Sequence, residues 1–209
     1  MMCPWSQYEK DPFPFCEEQL CQWISQPANT WSNIGYFLAA WLIWKHHRNS
    51  AFALITLYLA IGSTLFHTSG TMWGKILDVS AMLLLSGLCL SFSVVKTLKA
   101  PRWMGVLFFG GLSLLTLPWV GQGKLGGYIF VAEVVATVVL EFRLRHTLGA
   151  EKWQNLRRVM VIFPTALVLN MMDQHGPLCW PTNHIFTVHG LWHLMTAYCL
   201  YLIAKFYKN

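Results

Sequence analysis

The chain has 209 residues, of which 55% are hydrophobic and 11% are charged. A soluble domain has about 25% charged residues, so this composition excludes an ordinary soluble protein and favours an integral membrane protein. The net charge of +6 does not indicate a nucleic-acid-binding protein, because the basic residues lie between apolar runs and do not form one patch.

Seven apolar runs follow one another along the chain, each close to the ~20 residues that a helix needs to cross a bilayer. They cover most of the sequence and leave short connections, so we expect no appended soluble domain. The predicted fold is an all-α bundle of seven transmembrane helices. The predicted spans are residues 29–45, 51–67, 76–95, 103–120, 127–144, 158–174 and 185–205.

Lysine and arginine concentrate in alternate connections between these runs, which is the pattern of the positive-inside rule. The connections after the first, third and fifth runs are basic, and the C-terminal end contains Lys205 and Lys208. The rule predicts an N-terminus outside and a C-terminus in the cytoplasm. Residues 1–28 then form a short extracytoplasmic segment, residues 29–205 a single membrane domain, and residues 206–209 a cytoplasmic tail.

Two histidines in the last apolar run, His189 and His193, are spaced i, i+4 and therefore lie on one face of a helix, one turn apart. A third, His67, ends the second run, and the predicted orientation places all three at similar depth near the outer side. Ionisable side chains inside a bilayer are costly and usually mark a functional site. Three histidines match the ligand count of a catalytic zinc site, whose fourth position is left for water.

Two other interpretations of the histidines compete with zinc. One histidine near a helix end is more often an interfacial side chain, but this is a weaker explanation for three at one depth. Haem is the rival metal group, yet its axial ligands normally come from opposite sides of the ring, which i, i+4 neighbours cannot do. We expect zinc, because imidazole suits it and a hydrolytic site needs no redox change.

Two polar residues accompany the histidines. Ser63 stands four residues before His67, on the same helix face, and Asp78 lies near the start of the next run. The structural alternatives are a hydroxyl bonded to the preceding turn and a first-turn carboxylate favoured by the helix dipole. Beside a metal, the serine can stabilise an oxyanion, and the aspartate can act as general base or orient a ligand histidine. The sequence predicts both as catalytic residues.

Two further carboxylates have roles that the sequence leaves open. Asp173 lies at the end of the sixth run, where a loop-facing carboxylate is nearly as consistent with the pattern as a site residue. Glu133 lies in the middle of the fifth run and is expected to face the interior of the bundle.

The six cysteines divide by their predicted location. Cys89 and Cys199 fall within spans and are expected in the core. The others are expected on the outer side of the membrane, where disulfides persist; they are Cys3, Cys16, Cys21 and Cys179.

The order of these motifs resembles the alkaline ceramidase family, within a wider group of seven-span membrane hydrolases that includes the adiponectin and progestin receptors. The resemblance covers almost the whole chain. It implies a zinc ion held by the three histidines, Ser63 and Asp78 in the active site, hydrolysis of the amide bond of ceramide-like lipids, and a bond between Cys16 and Cys179. Cys3 and Cys21 are the competing partners for Cys179. The matching pieces are Cys16-Glu17-Glu18, Asn29-Thr30-Trp31-Ser32-Asn33, Gly62-Ser63-Thr64-Leu65-Phe66-His67, Leu77-Asp78, Asp173 followed by Cys179, and His189-Gly190-Leu191-Trp192-His193.

Eukaryotic members of this family carry an acidic calcium-binding cluster near the N-terminus. Glu17 and Glu18 remain here, but Pro14, Gln19 and Gln26 stand where further ligands would be expected, so the sequence does not predict a calcium site. The short loops and N-terminus resemble a bacterial relative, which implies an inner membrane with the site toward the periplasm.

The sequence therefore predicts a zinc-dependent intramembrane amide hydrolase that acts on ceramide-like N-acyl lipids and releases a fatty acid and an amine. The partner is a membrane lipid substrate, and no nucleic acid is expected. The main alternative is a lipid-binding membrane receptor with a structural zinc and little or no turnover. A transporter is less favoured, because paired repeats and broken mid-membrane helices are not evident.

Overall fold

The computed structural model describes residues 2–12, 15–122, 124–176 and 178–208. Within these residues the chain is helical and contains no β-strand; an isolated bridge joins Lys10 to Thr71. The predicted all-α class is confirmed. The α-helices are α1 (Pro27–Ser32), α2 (Ile34–His47), α3 (Ser50–Ser69), α4 (Met72–Leu98), α5 (Arg102–Thr116), α6 (Leu125–Arg143), α7 (Ala150–His175) and α8 (Val188–Phe206).

Each of the seven predicted runs coincides with one of the longer helices, α2 to α8. Three of them, α3, α4 and α6, are long and apolar enough to cross a membrane by length and composition. Membrane crossing by the other four helices stays a prediction. The first run also contains a break that the sequence did not predict, because α1 ends before Asn33, whose Nδ2 donates to the Asn29 carbonyl (2.9 Å).

Helix α4 begins earlier than predicted, at Met72 and not at residue 76. Thr71 precedes it, and its hydroxyl oxygen accepts a hydrogen bond from Gly74 N (3.4 Å), which satisfies one of the free N–H groups of the first turn. In that turn Lys75 pairs with Asp11 (2.7 Å). Asp78 therefore lies in the second turn of α4, and its interpretation as a first-turn charge is wrong.

The chain forms two compact units. Unit 1 consists of residues 1–78 and 155–209 and contains α1, α2, α3 and α8 with parts of α4 and α7. In this unit α2 packs against α3 and α8, and the short α1 contacts the same two helices. Unit 2 consists of residues 79–154 and contains the rest of α4 together with α5 and α6. The histidines, Ser63 and Asp78 all belong to unit 1.

Close approach of α3 and α4 depends on Gly62. A Cβ atom at this position would lie 2.9 Å from the Leu77 carbonyl carbon and 3.0 Å from Asp78 N, which is closer than such atoms pack. Small residues are the usual means of bringing membrane helices into contact, because no hydrophobic effect drives their association in lipid. Gly62 thereby allows its neighbour, Ser63, to approach Asp78.

In unit 2, α6 contributes two buried carboxylates that contact α4. Glu141 accepts a hydrogen bond from Ser93 (2.8 Å) and pairs with Lys96 (2.9 Å). Glu133 accepts a hydrogen bond from Ser86 and is 5% exposed, as expected for an interior position. Buried carboxylates are costly unless they are paired, so these contacts orient α6 against α4.

The six cysteines form two disulfides and leave two residues free. Cys16 bonds to Cys179, the pairing that the family resemblance implied, and its competitors Cys3 and Cys21 bond to each other. The two cysteines predicted in the core, at positions 89 and 199, are free and buried. The N-terminal segment is thus tied to itself and to the connection before α8.

Loss of the Cys16–Cys179 bond is expected to destabilise the protein more than loss of the Cys3–Cys21 bond. The two bonds span 163 and 18 residues, and chain-entropy scaling gives roughly 5 and roughly 3 kcal/mol, respectively. The measurement is the thermal melting temperature in detergent of two double variants, in which one pair or the other is replaced by alanine. A larger fall for the Cys3 and Cys21 pair would contradict the expectation.

Candidate metal centre

Three histidines from two helices converge in unit 1. His67 lies near the end of α3, and His189 and His193 lie in the first two turns of α8, as predicted. Their exposures are 1%, 5% and 2%, and one ring nitrogen of each lies within 4.8 Å of the others. The structure therefore contains a buried three-histidine group that can hold a metal ion.

Each imidazole has a polar partner at its Nδ1 atom. Such partners fix the ring orientation and the tautomer of metal-binding histidines. The pairs are His67 Nδ1 with Gln26 Oε1 (2.9 Å), His189 Nδ1 with Asn170 Oδ1 (2.6 Å) and His193 Nδ1 with Ser32 Oγ (2.7 Å). All three rings therefore turn the other nitrogen, Nε2, away from these partners.

The direction of two of these hydrogen bonds follows from the surroundings. The amide Nε2 of Gln26 donates to the Glu17 carbonyl (2.6 Å), so its Oε1 accepts from His67 Nδ1. The Ser32 hydroxyl donates to the Asn29 carbonyl (2.9 Å), so its oxygen accepts from the imidazole paired with it. The proton then resides on Nδ1 in both rings, and Nε2 carries a lone pair.

The contact between His67 and His189 shows that this donor set fits a cation. Their Nε2 atoms lie 3.2 Å apart in a buried position. Asn170 Oδ1 is an acceptor, so His189 also carries its proton on Nδ1. The Nε2 lone pairs of the two neutral rings then point at each other, which is unfavourable without a cation between them. Zn–N bonds of 2.0–2.1 Å in tetrahedral geometry place ligand nitrogens about 3.3 Å apart. The spacing of this pair already matches that value.

The start of α8 is positioned by two side chains outside it. The Thr187 hydroxyl oxygen accepts from Gly190 N (2.9 Å), and the same hydroxyl donates to Asn29 Oδ1 (2.6 Å). Asp173, at the end of α7, accepts through Oδ1 from His189 N and through Oδ2 from Cys16 N, both at 3.2 Å. A carboxylate at a helix N-terminus is favoured by the helix dipole. Asp173 is thus a buried positioning residue and not a loop-facing carboxylate.

Ser63 and Asp78, the two predicted catalytic residues, form a hydrogen bond with each other. Ser63 is 1% exposed, whereas Asp78 is partly exposed. Ser63 lies one helical turn before His67 on α3, and side chains four residues apart share one face of a helix. The Ser63–Asp78 pair therefore lies on the helix face that carries His67.

The acidic N-terminal pair has protein partners. The two oxygens of Glu17 accept from Ala28 N (2.8 Å) and Asn29 N (2.9 Å) at the start of α1. His184 lies 3.1 Å from Glu17 Oε1 and 3.7 Å from Glu18 Oε1. Among the positions predicted to lack calcium ligands, Pro14 falls outside the described residues. Because Glu17 accepts these two backbone hydrogen bonds, its carboxylate stabilises the start of α1.

Sequence reasoning missed the polar partners of the histidines. Ser32 belongs to a motif that carries the family resemblance, and Asn170 lies three residues before Asp173, but neither pattern predicts a contact with a histidine. Gln26 falls at an expected calcium-ligand position, which predicts no contact with His67. A signal was present, because polar side chains at the ends of apolar runs face costly desolvation unless they are paired. The sequence did not indicate which group each would pair with.

Replacement of Gln26 by leucine is expected to lower metal affinity 10- to 100-fold, the usual effect of losing such an outer partner. The change leaves His67 Nδ1 without its acceptor and frees the ring to rotate. Metal affinity is measured by competition with a chelator of known affinity. Gln22→Leu is the control, because Gln22 is exposed; an equal effect of both changes would contradict the assigned role of Gln26.

Comparison with models of known families gives no match, and no curated protein matches the chain. The chemistry of the site is therefore judged from its geometry. Imidazole nitrogens suit zinc, copper, iron and nickel. A carboxylate hydrogen-bonded to a hydroxyl beside such a group can serve as an acid–base residue and a hydrogen-bond donor toward a carbonyl.

Proposed function

We propose that this protein is a zinc-dependent hydrolase of the amide bond in membrane N-acyl lipids. The observation that carries the proposal is the buried three-histidine group, in which one ring nitrogen of each residue lies within 4.8 Å of the others. The Nε2 atoms of His67 and His189 lie 3.2 Å apart, and each Nδ1 atom has its own polar partner. The Ser63–Asp78 pair supports it, because a purely structural metal site has no need of a partly exposed carboxylate nearby. The motifs resemble the alkaline ceramidase family, and membership in that family is part of the proposal.

A zinc ion held by His67, His189 and His193 would act as a Lewis acid toward the amide carbonyl and lower the pKa of a reacting water. The chain's own residues perform the proton transfers. Asp78 accepts the proton of the attacking water and returns it to the leaving amine. The Ser63 hydroxyl, which donates to Asp78 in the resting state, becomes free to donate to the developing oxyanion once the carboxylate is protonated.

The membrane arrangement belongs to the same proposal. We propose that α2 to α8 all cross the membrane, with the N-terminus outside and the C-terminus in the cytoplasm. The alternating basic connections support this orientation, and the two disulfides agree with it, because disulfides persist on the outer side of a bacterial inner membrane. A lipid then enters from the membrane, with its amide near the outer side and its acyl chain among the apolar helices.

The proposal is tested with a panel of fluorescent short-chain N-acyl lipids: ceramides, N-acylethanolamines and N-acyl amino acids. Purified protein in detergent is expected to release fatty acid from at least one class, and a chelator is expected to abolish the release. The class with the highest rate identifies the head group. Stable zinc binding with no turnover on the whole panel would reject the hydrolase and favour a receptor with a structural zinc.

A further inference from the structure

A second polar site lies at the other end of α3 from the histidines. A cavity of about 540 Å³ lies where α2 meets α3, and it is lined by Trp41, Trp44 and Lys45 of α2, by Arg48 of the connection and by Ser50 at the start of α3. Helix α3 starts at Ser50 and reaches His67 seventeen residues later, so at 1.5 Å per residue the two sites are roughly 25 Å apart. That separation is close to the ~30 Å hydrocarbon thickness of a bilayer.

We propose that this cavity binds the phosphate group of an anionic membrane phospholipid. The proposal rests on α2 and α3 crossing the membrane, as proposed above, and it is independent of the hydrolytic activity. The cavity then lies on the cytoplasmic side, where anionic lipids attract basic residues next to the membrane.

The charges of the cavity match a phosphate. Lys45 and Arg48 supply two positive charges, and no acidic side chain lines the cavity. In the part of the chain that the structure describes, neither residue forms an ion pair. The start of α3 adds the partial positive charge of a helix N-terminus, and Ser50 adds a hydroxyl. An arginine guanidinium can bind phosphate through two parallel hydrogen bonds.

The two tryptophans indicate that the phosphate belongs to a lipid and is not free in solution. Trp41 and Trp44 are 54% and 57% exposed, and Lys45 Nζ lies 4.8 Å from the Trp41 ring centroid. Tryptophan is enriched at membrane interfaces, where its ring meets lipid and its N–H meets the polar headgroups. The rings thus mark the depth at which a lipid phosphate lies.

Apolar side chains continue from the cavity along both helices, as acyl chains require. On α2 and α3, which pack against each other, exposed residues extend away from the cavity toward the opposite ends. They are Phe37, Leu38, Leu54, Leu57 and Ile61. A free phosphate ion would leave this apolar surface uncovered, whereas the two acyl chains of a phospholipid would cover it.

Native mass spectrometry of the full chain in detergent tests the proposal. The protein is titrated with phosphatidylglycerol and with phosphatidylcholine of the same acyl chains. About 1 kcal/mol for each basic residue near an anionic headgroup corresponds to a preference of roughly 10- to 30-fold for phosphatidylglycerol. The double variant Lys45→Gln and Arg48→Gln is expected to lose this preference, and each single variant to lose part of it.

The matched control is Arg145→Gln. The Arg145 guanidinium also stacks on an aromatic ring, 4.4 Å from the Phe142 centroid, but it lines no part of this cavity. The Arg145→Gln variant is expected to keep the preference for phosphatidylglycerol. Equal binding of both lipids by the unmodified chain, or an unchanged preference in the double variant, would overturn the proposal. Full competition by equimolar glycerol phosphate would overturn the assignment to a lipid. None of these outcomes depends on amide hydrolysis.

Discussion

Replacing His189 or His193 by alanine is expected to reduce the metal content from about one zinc per chain to near zero. Each change removes one of the three proposed ligands, all of which are buried, and leaves two histidines. Because the metal contributes several kcal/mol to the transition state, amide hydrolysis is expected to fall at least ~10³-fold. Elemental analysis of detergent-purified protein measures the metal, and fatty-acid release measures the activity.

The control for this experiment is His146→Ala. His146 is exposed and lies in a short helical turn at residues 145–147. It is not one of the three histidines that are proposed to bind the metal. The His146→Ala variant is expected to keep full zinc content and activity. Retention of zinc by both the His189 and His193 variants would show that these residues are not the ligands.

Asp78→Asn is expected to retain zinc but lose activity by 10²–10⁴-fold, the usual contribution of a general base. Asparagine has nearly the same shape as aspartate and can still accept the hydrogen bond from Ser63, so the fold around Gly62 is preserved. It cannot take up the proton of the attacking water. The measurement is the catalytic rate at saturating lipid, together with the zinc content of the same sample.

Glu133→Gln is the matched control for Asp78→Asn, because it makes the same change of acid to amide in another carboxylate that accepts a hydrogen bond from a serine. Glu133 contacts Ser86 in unit 2 and has no assigned role in the chemistry. This variant is expected to hydrolyse lipid at the normal rate. Near-normal turnover by Asp78→Asn would mean that Asp78 is structural and that another group accepts the proton.

The features that could be predicted from the sequence are local ones. Apolar runs give helices because each run satisfies its own backbone hydrogen bonds, and the i, i+4 spacing places His189 and His193 on one face in any helix. The approach of His67 to this pair was predicted from the depth that membrane topology assigns to a helix end. Depth in the membrane does not depend on detailed packing, and the three residues converge in the structure.

The features that were missed depend on tertiary contacts. Gln26 is 41 residues from His67, and Ser32 is 161 residues from His193, so no local pattern indicates either pairing. The early start of α4 was not predicted for the same reason, because Lys75 in its first turn pairs with Asp11, which is 64 residues away. One sequence provides residue types and spacing, whereas these contacts follow from how the helices pack.

The central claim is that the three-histidine metal centre performs amide hydrolysis, and a zinc titration of metal-free protein tests it most directly. Protein stripped by a chelator is given increasing zinc, and fatty-acid release from the best N-acyl lipid is measured at each step. We predict that activity rises in proportion to bound zinc and levels off at about one ion per chain. Full activity in the metal-free protein, or complete zinc loading without any hydrolysis, would contradict the account.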